Sequence, residues 1–405
     1  MAMSMNNLED LLDYCDTESQ RRGILAIISE GSAQKAATKL GLGRRSVDKT
    51  LITVRKNAAL RGYAPDYDLT HPVAPGQILK GTSTLYDADG NIKIQWSKTQ
   101  ADKEYQRQKF VEFVGDLVED MKNTTAPAIT APPIPNSDDL AAFFIVGDAH
   151  IGMRAWGKAT GHDDHDTRIG INDLHNAFRH LIAASPSCET GYLINLGDWF
   201  HANDSTNRTP ASGATLDVDG RLAHVLAAAK TLIVAIVKIM LVKFPNVIIV
   251  NARGNHDPDA AVYFNEIVSA RWHHEPRVKV APNTSKFVYI QHGKSLIGIH
   301  HGDRINRNRI YEAMTRDKRV ELGQSEFVYF WTGHIHHKTA EEIGMCLFES
   351  FGILPPPDQW HSDSGYGAAR EMQSIIMSKQ DGIVARNVCG IKMARQYDNV
   401  LEIES

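Results

Sequence analysis

Five short segments in the second half of the chain constrain it most. They read Gly147-Asp148-Ala149-His150, Gly197-Asp198-Trp199-Phe200-His201, Gly254-Asn255-His256-Asp257, His300-His301-Gly302-Asp303 and Gly333-His334-Ile335-His336. Each follows a run of apolar, β-prone residues. Four sit directly at the end of such a run, and the third begins three residues beyond it. The runs predict strands over Ala142–Val146, Tyr192–Leu196, Val247–Asn251, Phe287–Gln291, Leu296–His300 and Phe327–Thr332. Helical spacing predicts helices over Ile171–Ala184, Gly220–Phe244, Pro258–Trp272 and Asn306–Arg316. Further strand-like runs follow at Ile343–Phe351, Ser374–Ser378 and Gly382–Arg386. Strands alternating with helices imply a layered α/β core, in which ligands gather beyond the carboxyl ends of the strands.

The five segments offer carboxylates, an amide oxygen and imidazoles, and no thiolate. That donor set suits two divalent ions held close together, which is the equipment for hydrolysing a phosphate ester.

A chain of 405 residues is long enough for two or three domains. Its net charge of −4 excludes a wholly basic nucleic-acid binder, so any such binding is local. Cys15, Cys188, Cys346 and Cys389 are scattered and form no CxxC pair, as expected of a reduced, cytoplasmic protein. The polar, acidic start from Met1 to Leu12 does not read as a signal peptide. The longest apolar stretch, Leu222–Phe244, contains His224, Lys230, Lys238 and Lys243, which reads as a buried amphipathic helix rather than a membrane span.

The clearest boundary is the proline- and threonine-rich run at Asn123–Asp139, which reads as an extended linker over residues 122–140. Before it, residues 1–62 read as a small helical domain, with helices near Ser19–Ser29, Ala33–Leu40 and Arg45–Ala59. In the third helix Val47, Leu51, Val54 and Ala58 share one face, opposite Arg45, Lys49, Thr53 and Lys56. Thr17–Arg61 carries ten Lys/Arg against three Asp/Glu, a local basic patch of about +7. The pattern resembles a helix-turn-helix, with Arg44, Arg45, Lys49, Thr53 and Lys56 as candidate DNA contacts. The alternative is a helical bundle with a solvated basic face. Residues 63–121 read as a β-hairpin, Gln77–Lys98, followed by a helix over Ala101–Met121. The run from Asp87 to Asn91 is a plain turn without the rest of a calcium loop. Residues 141–405 form the α/β domain.

The five motifs, in this order, resemble the signature of the calcineurin-like metallophosphoesterase family: D-x-H, G-D, G-N-H-D/E, a histidine before glycine, and G-H-x-H. The resemblance spans about Phe143 to His336. It implies a layered core of two mixed β-sheets flanked by helices, here with a small, mainly helical N-terminal domain. It implies that Asp148, His150 and His336 hold one metal, that Asn255, His301 and His334 hold the other, and that Asp198 bridges them. A pair of ions about 3.5–4 Å apart binds phosphate and lowers the pKa of a bridging water, whose hydroxide attacks phosphorus. The ions are expected to be Mn²⁺, with Fe, Zn or Mg as alternatives. The histidine matching His256 lies beside the leaving group in the family, which makes His256 the candidate general acid or a phosphate-positioning residue. The family places its ligand immediately before glycine, which selects His301 over His300, and His337 is left either at the surface or behind the ligands. Asp257, before Pro258, reads as a helix N-cap that could also orient His256.

Protein serine/threonine phosphatases carry G-D-x-x-D-R-G, whereas this chain has a histidine, His201, after an aromatic residue. That form is similar to the SbcD-type DNA repair nucleases, and makes His201 a candidate for orienting substrate phosphate or for steadying the Asp198 loop. Those nucleases carry a DNA-capping domain after the core, for which the residues beyond His336 are too few. The basic helices before the linker stand in its place, an architecture similar to those of tailed bacteriophages, which would put the protein in the host cytoplasm. The expected activity is Mn-dependent hydrolysis of DNA, exo- or endonucleolytic. The alternatives are a phosphomonoesterase or protein phosphatase, and a DNA-binding regulator with a vestigial phosphoesterase fold. The expected partner is DNA and not membrane, with the oligomeric state open, a homodimer included. Two loops remain as candidates. The run His162, Asp163, Asp164, His165 and Asp166 faces either substrate or solvent. The loop Leu354–Tyr366 is long and aromatic and reads either as a substrate loop, with Trp360, His361 and Tyr366 as candidates and Trp360 or Tyr366 stacking on a base, or as an ordered surface loop. His273, His274 and His292 have no motif support.

Overall fold

A computed structural model describes residues 8–74, 76–123, 137–365 and 367–403. Its contacts divide the chain into two units, Met1–Gly115 and Asp116–Ser405.

The first unit begins with a short 3₁₀ turn, Asp10–Tyr14, and three helices: α1 (Glu18–Glu30), α2 (Ala33–Leu40) and α3 (Arg44–Leu60). Local chemistry marks their ends. Thr17 and Gln20 form a reciprocal capping box at the start of α1, and Gly31 closes it with a left-handed φ of 70°. Ser32 caps α2, whose last turn ends at Gly41, and Gly43 leads into α3. Ile24, Ile27, Ala36, Ala37, Val47, Leu51, Val54 and Ala58 are buried together, so the apolar face read from the third helix is its packed face. Strands β1 (Tyr63–Ala64) and β2 (Leu69–Thr70) pair antiparallel, as do β3 (Gln77–Tyr86) and β4 (Ile92–Ala101). The β3–β4 turn is tied by the Asp87 carboxylate, which accepts the amides of Asp89 (3.0 Å) and Asn91 (2.8 Å). Helix α4 (Lys103–Asn123) crosses the division between the units. Most of the proline-rich run lies outside the described residues, and Ser137–Leu140 belong to the next strand.

The second unit is a layered α/β fold. In chain order it comprises β5 (Ser137–Val146), α5 (Gly157–Thr160), α6 (Thr167–Ala184), β6 (Cys188–Asn195), α7 (Leu222–Lys243), β7 (Asn246–Asn251), α8 (Ala260–Trp272), β8 (Val278–Val280), β9 (Val288–His292) and β10 (Ser295–Ile299). It continues with α9 (Arg307–Asp317), α10 (Arg319–Gly323), β11 (Phe327–Thr332), β12 (Thr339–Ile343), β13 (Cys346–Ser350), α11 (Gln359–Asp363), β14 (Glu371–Ser378), β15 (Gly382–Gly390) and α12 (Ile391–Ala394).

Two mixed sheets result. One has the order β15-β14-β5-β6-β7-β8, parallel from β5 to β8 with β14 and β15 antiparallel. The other has the order β12-β13-β11-β10-β9. Alternation along β5 shows how they stack. Phe143 and Ile145 point into a core shared with Ile297, Ile299, Tyr329 and Trp331 of the second sheet. Phe144 points the other way, against Phe178 of α6 and Phe244 just past α7. Both faces of the strand are therefore buried, which is why it reads as a continuous apolar run. On the far side of the second sheet, Ile310 and Met314 of α9 pack on Leu296, Val328, Phe330 and Phe348. Helix α7 has the length and apolar composition to cross a membrane, yet Val225, Leu226, Ala229, Leu232, Ile233, Ile236, Val237 and Met240 are buried within the fold.

Phe143 stacks on Tyr192 (4.3 Å between centroids) and meets the edge of Trp331 (5.5 Å) at the centre of the sandwich. Phe143→Ala should destabilise the second unit by about 3–5 kcal/mol. Urea unfolding followed by tryptophan fluorescence checks this, and an unmoved midpoint would contradict the assigned core.

Candidate metal centre

The topology aims five strand ends at one place. β5, β6 and β7 run parallel in one sheet, β10 and β11 run parallel in the other, and each motif follows the carboxyl end of one of them. The backbone there is unusual. Among the described residues eight that are not glycine have positive φ, and five of these are Asp148, His150, Asp198, His334 and His336, with φ between 29° and 71°. Asp, Asn and His tolerate this region better than most side chains, and such strain persists where surrounding structure holds it.

The loops hold one another. His150 and Ile151 donate their amides to the carbonyls of Asp198 and Trp199, both at 2.9 Å, and His201 donates back to Ile151 at 3.0 Å. The His334 amide donates to both oxygens of Asp148 (3.1 and 2.9 Å), and the His256 amide to Asp198 Oδ1 (2.8 Å). Two motif glycines make room for this. A Cβ on Gly254 would overlap the Asp198 carboxylate, and one on Gly197, at φ 107°, would fall 2.6 Å from His301 Nδ1.

The candidate ligands converge in two groups whose donor atoms lie within 4.8 Å of one another: Asp148, His150 and His336, and Asp198, His301 and His334. In the first, His150 Nε2 faces His336 Nε2 at 3.2 Å. In the second, His301 Nδ1 lies 3.1 Å from the Leu196 carbonyl, and its Nε2 approaches Asp198 Oδ2 and Asn255 Oδ1, both at 3.0 Å. His301 Nε2 is also 3.8 Å from Asp148 Oδ1, so the groups adjoin. All seven residues assigned from the sequence are brought together. His300 turns away: its ring packs on Phe287 (4.7 Å) and its Nδ1 accepts the Gly302 amide at 2.9 Å. His337 is exposed.

The electrostatics fit divalent cations. Asp148 and Asp198 are almost fully buried, and among the described residues neither pairs with a lysine or arginine. Burial pushes Asp148 up to about 7, although His301 opposes the shift. Burial works against the Asp198 charge too, but His301 outweighs it and holds that carboxyl below the usual range. Burial would depress His301, yet Asp198 and Asp148 push it up to about 10: the pocket calls for positive charge. Burial and then the neighbouring imidazoles hold His150 well below its ordinary value and His336 at about 3, the neutral form that binds metal. Facing imidazole nitrogens, buried carboxylates and an amide oxygen together fit a pair of hard or borderline ions.

His201 and His256 stand beside this cluster. With His150 they form a third close group, their rings stacked at 5.4 Å. His256 Nδ1 meets the His201 carbonyl at 2.8 Å. His201 Nδ1 lies 3.4 Å from His150 Nδ1, and its buried Nε2 has no hydrogen-bond partner among the described residues.

Several expectations change. Asp257 does not cap a helix: α8 starts at Ala260, and the buried Asp257 carboxylate instead accepts the amides of Phe200 (3.1 Å) and Gly254 (3.0 Å). It ties the second motif to the third. In the run 162–166, His165 is buried, neither at solvent nor at the cluster, and Asp166 caps α6. Asp163 pairs with Arg370 (2.6 Å) and Arg395 (2.8 Å), and Asp164 accepts the Gly157 amide. In the loop after β13, His361 stacks on His336 at 4.6 Å, whereas Tyr366 lies outside the described residues. Asp358, whose carboxylate pairs with His361 Nδ1 at 2.7 Å, carries no motif and was not singled out by the sequence. Arg44, Arg45, Lys49 and Lys56 are exposed on α3 of the first unit, and Thr53 is half-buried with its hydroxyl on the Lys49 carbonyl.

No protein-family model matches the sequence, and no curated protein matches it. Among solved structures, the chain is similar to a predicted phosphoesterase of Streptococcus pneumoniae, with 11% identity over 62% of this chain and 98% of that one and a TM-score of 0.26. It is similar to vacuolar protein sorting 29 of Cryptosporidium parvum, with 16% identity over 62% and 97% of the two chains and a TM-score of 0.30. It is also similar to a zinc complex of that protein from Entamoeba histolytica, with 11% identity over 62% and 99% and a TM-score of 0.27.

Gly254→Ala tests the close approach of the loops. The added methyl must displace Asp198, and misplacing such a group by about 1 Å costs on the order of 100-fold in rate. Bound Mn²⁺ measured after dialysis should fall below the wild-type ratio while circular dichroism is unchanged. Wild-type metal content would contradict the geometry.

Proposed function

We propose that the protein is a two-metal phosphodiesterase acting on DNA. The observation that carries the reading is the convergence of seven residues with oxygen and nitrogen donors, two of them buried carboxylates, from five strand ends of two sheets. Asp148, His150 and His336 would hold one ion, Asn255, His301 and His334 the other, with Asp198 shared. Such ions, when bound, neutralise a phosphate and lower the pKa of water at the site.

The chain's own groups do the rest. Neutral imidazoles and the Asn255 amide complete the set without adding negative charge that would repel a phosphate. His256, bonded through Nδ1 to the His201 carbonyl, has Nε2 as the atom that exchanges a proton with a leaving oxygen. Asp257, anchoring the amides of Phe200 and Gly254, sets the spacing between the Asp198 and His256 loops. The buried His201, stacked on His256, restricts that ring to one orientation. DNA as the substrate is supported by the exposed basic side chains of α3 and by the histidine that follows Gly197-Asp198-Trp199-Phe200.

The deciding assay offers labelled single- and double-stranded DNA, an aryl phosphodiester and an aryl phosphomonoester, each with Mn²⁺. DNA and the diester should be cleaved, and chelation should stop the reaction. Asp198→Ala and His336→Ala should each lower turnover by at least about 100-fold, with the fold intact. Retained turnover in either would sink the two-metal assignment, and turnover of the monoester alone would make the protein a phosphomonoesterase.

The α3 face has its own test. In the full-length protein, Arg45→Glu with Lys49→Glu should weaken duplex binding and flatten its salt dependence, since each lost phosphate contact removes about 0.9 from the log–log slope. Unaltered affinity and slope would remove α3 from the DNA interface.

A further inference from the structure

The segment between β13 and β14 brings a second kind of chemistry to the metal centre. It leaves the sheet through Pro355, Pro356 and Pro357, which limit its backbone freedom, and enters the short helix α11. Asp358, 9% exposed, accepts both the backbone amide of His361 (2.8 Å) and its Nδ1 (2.7 Å). The carboxylate therefore fixes the imidazole at two points. The His361 ring then lies nearly flat on His336, with centroids 4.6 Å apart and planes at 27°. Trp360 stands edge-on to His361 at 4.8 Å and 89°, with 62% of its surface exposed. Three rings thus lead from solvent to a candidate metal ligand in two short steps.

An indole beside a phosphate-binding centre has one obvious chemical use. The base of a nucleotide is joined to its phosphate through a single sugar, and a single ring, that of His361, separates Trp360 from His336. A flat π surface accepts any base, because every base has a π face. The edge-to-face packing on His361 sets the plane of the indole, and Asp358 sets His361.

We propose that Trp360 is the stacking platform for the nucleobase flanking the scissile phosphate, with Asp358 and His361 as positioning residues. The assignment rests on the reading of the centre as a phosphodiesterase and narrows its substrate to esters that carry a base at that position.

The test uses full-length protein loaded with Mn²⁺ and calorimetric titration with two ligands, deoxyadenosine monophosphate and methyl phosphate, which lacks a base. Trp360→Ala should weaken the nucleotide roughly tenfold, the size of one base–aromatic stack, and leave methyl phosphate unchanged. Trp360→Phe should keep most of the nucleotide affinity. Asp358→Asn, which retains an oxygen acceptor, should bind the nucleotide nearly as wild type does, whereas Asp358→Ala should not. Equal losses on both ligands, or none on the nucleotide, would overturn the subsite. A wild-type protein that cleaves no diester but still shows the Trp360-dependent preference for the nucleotide would refute the phosphodiesterase reading and leave the subsite standing.

Discussion

Two buried carboxylates that pair with no lysine or arginine among the described residues set the terms for the second unit. A carboxylate removed from water needs compensation by opposite charge or hydrogen bonds. Asp148 and Asp198 receive hydrogen bonds from the amides of His334 and His256, each belonging to another motif. Compensation therefore requires several loops at once, and the loops require their strands. Residues from two sheets meet at one point because those sheets share the core around Phe143, Tyr192 and Trp331. The pocket remains short of positive charge, as the raised His301 shows. A metal pair is the simplest occupant that meets that need.

Most of this architecture was legible because apolar runs and motif order are local signals. The strand at Phe327–Thr332 and the helices at Ala33–Leu40 and Ile171–Ala184 come from periodicity that tertiary packing reinforces. The strands that escaped notice lie at sheet edges. β12, Thr-Ala-Glu-Glu-Ile, pairs on one side only and is largely exposed, so its sequence carries charge instead of an apolar alternation. β8 has three residues, too few for a period to register.

In the site, residue types told the chemistry but not the second partners. Asp257 precedes a proline and a helix, which is the local pattern of a cap, yet its carboxylate is used by an amide 57 residues away in sequence. His165 sits in a run of polar residues that reads as solvated, but the antiparallel bridge to Ala155 draws it inside. Asp358 resembles any turn aspartate until its contact with His361 is seen. Each depends on a contact made by the fold as a whole, of which single-chain patterns keep no trace.

The left-handed backbone at five of the seven donor positions has a bearing on how such a protein can change. Asp and His are there both for their ligand atoms and for their tolerance of that conformation, and Asn and Gly share the tolerance without the same ligand strength. A single exchange to either would weaken the ligand set while sparing the turn, whereas a β-branched residue would damage both. Loss of the ligand set and loss of architecture are thus separable along different mutational routes. A lineage built on this scaffold could shed the candidate ligands one at a time and keep the fold.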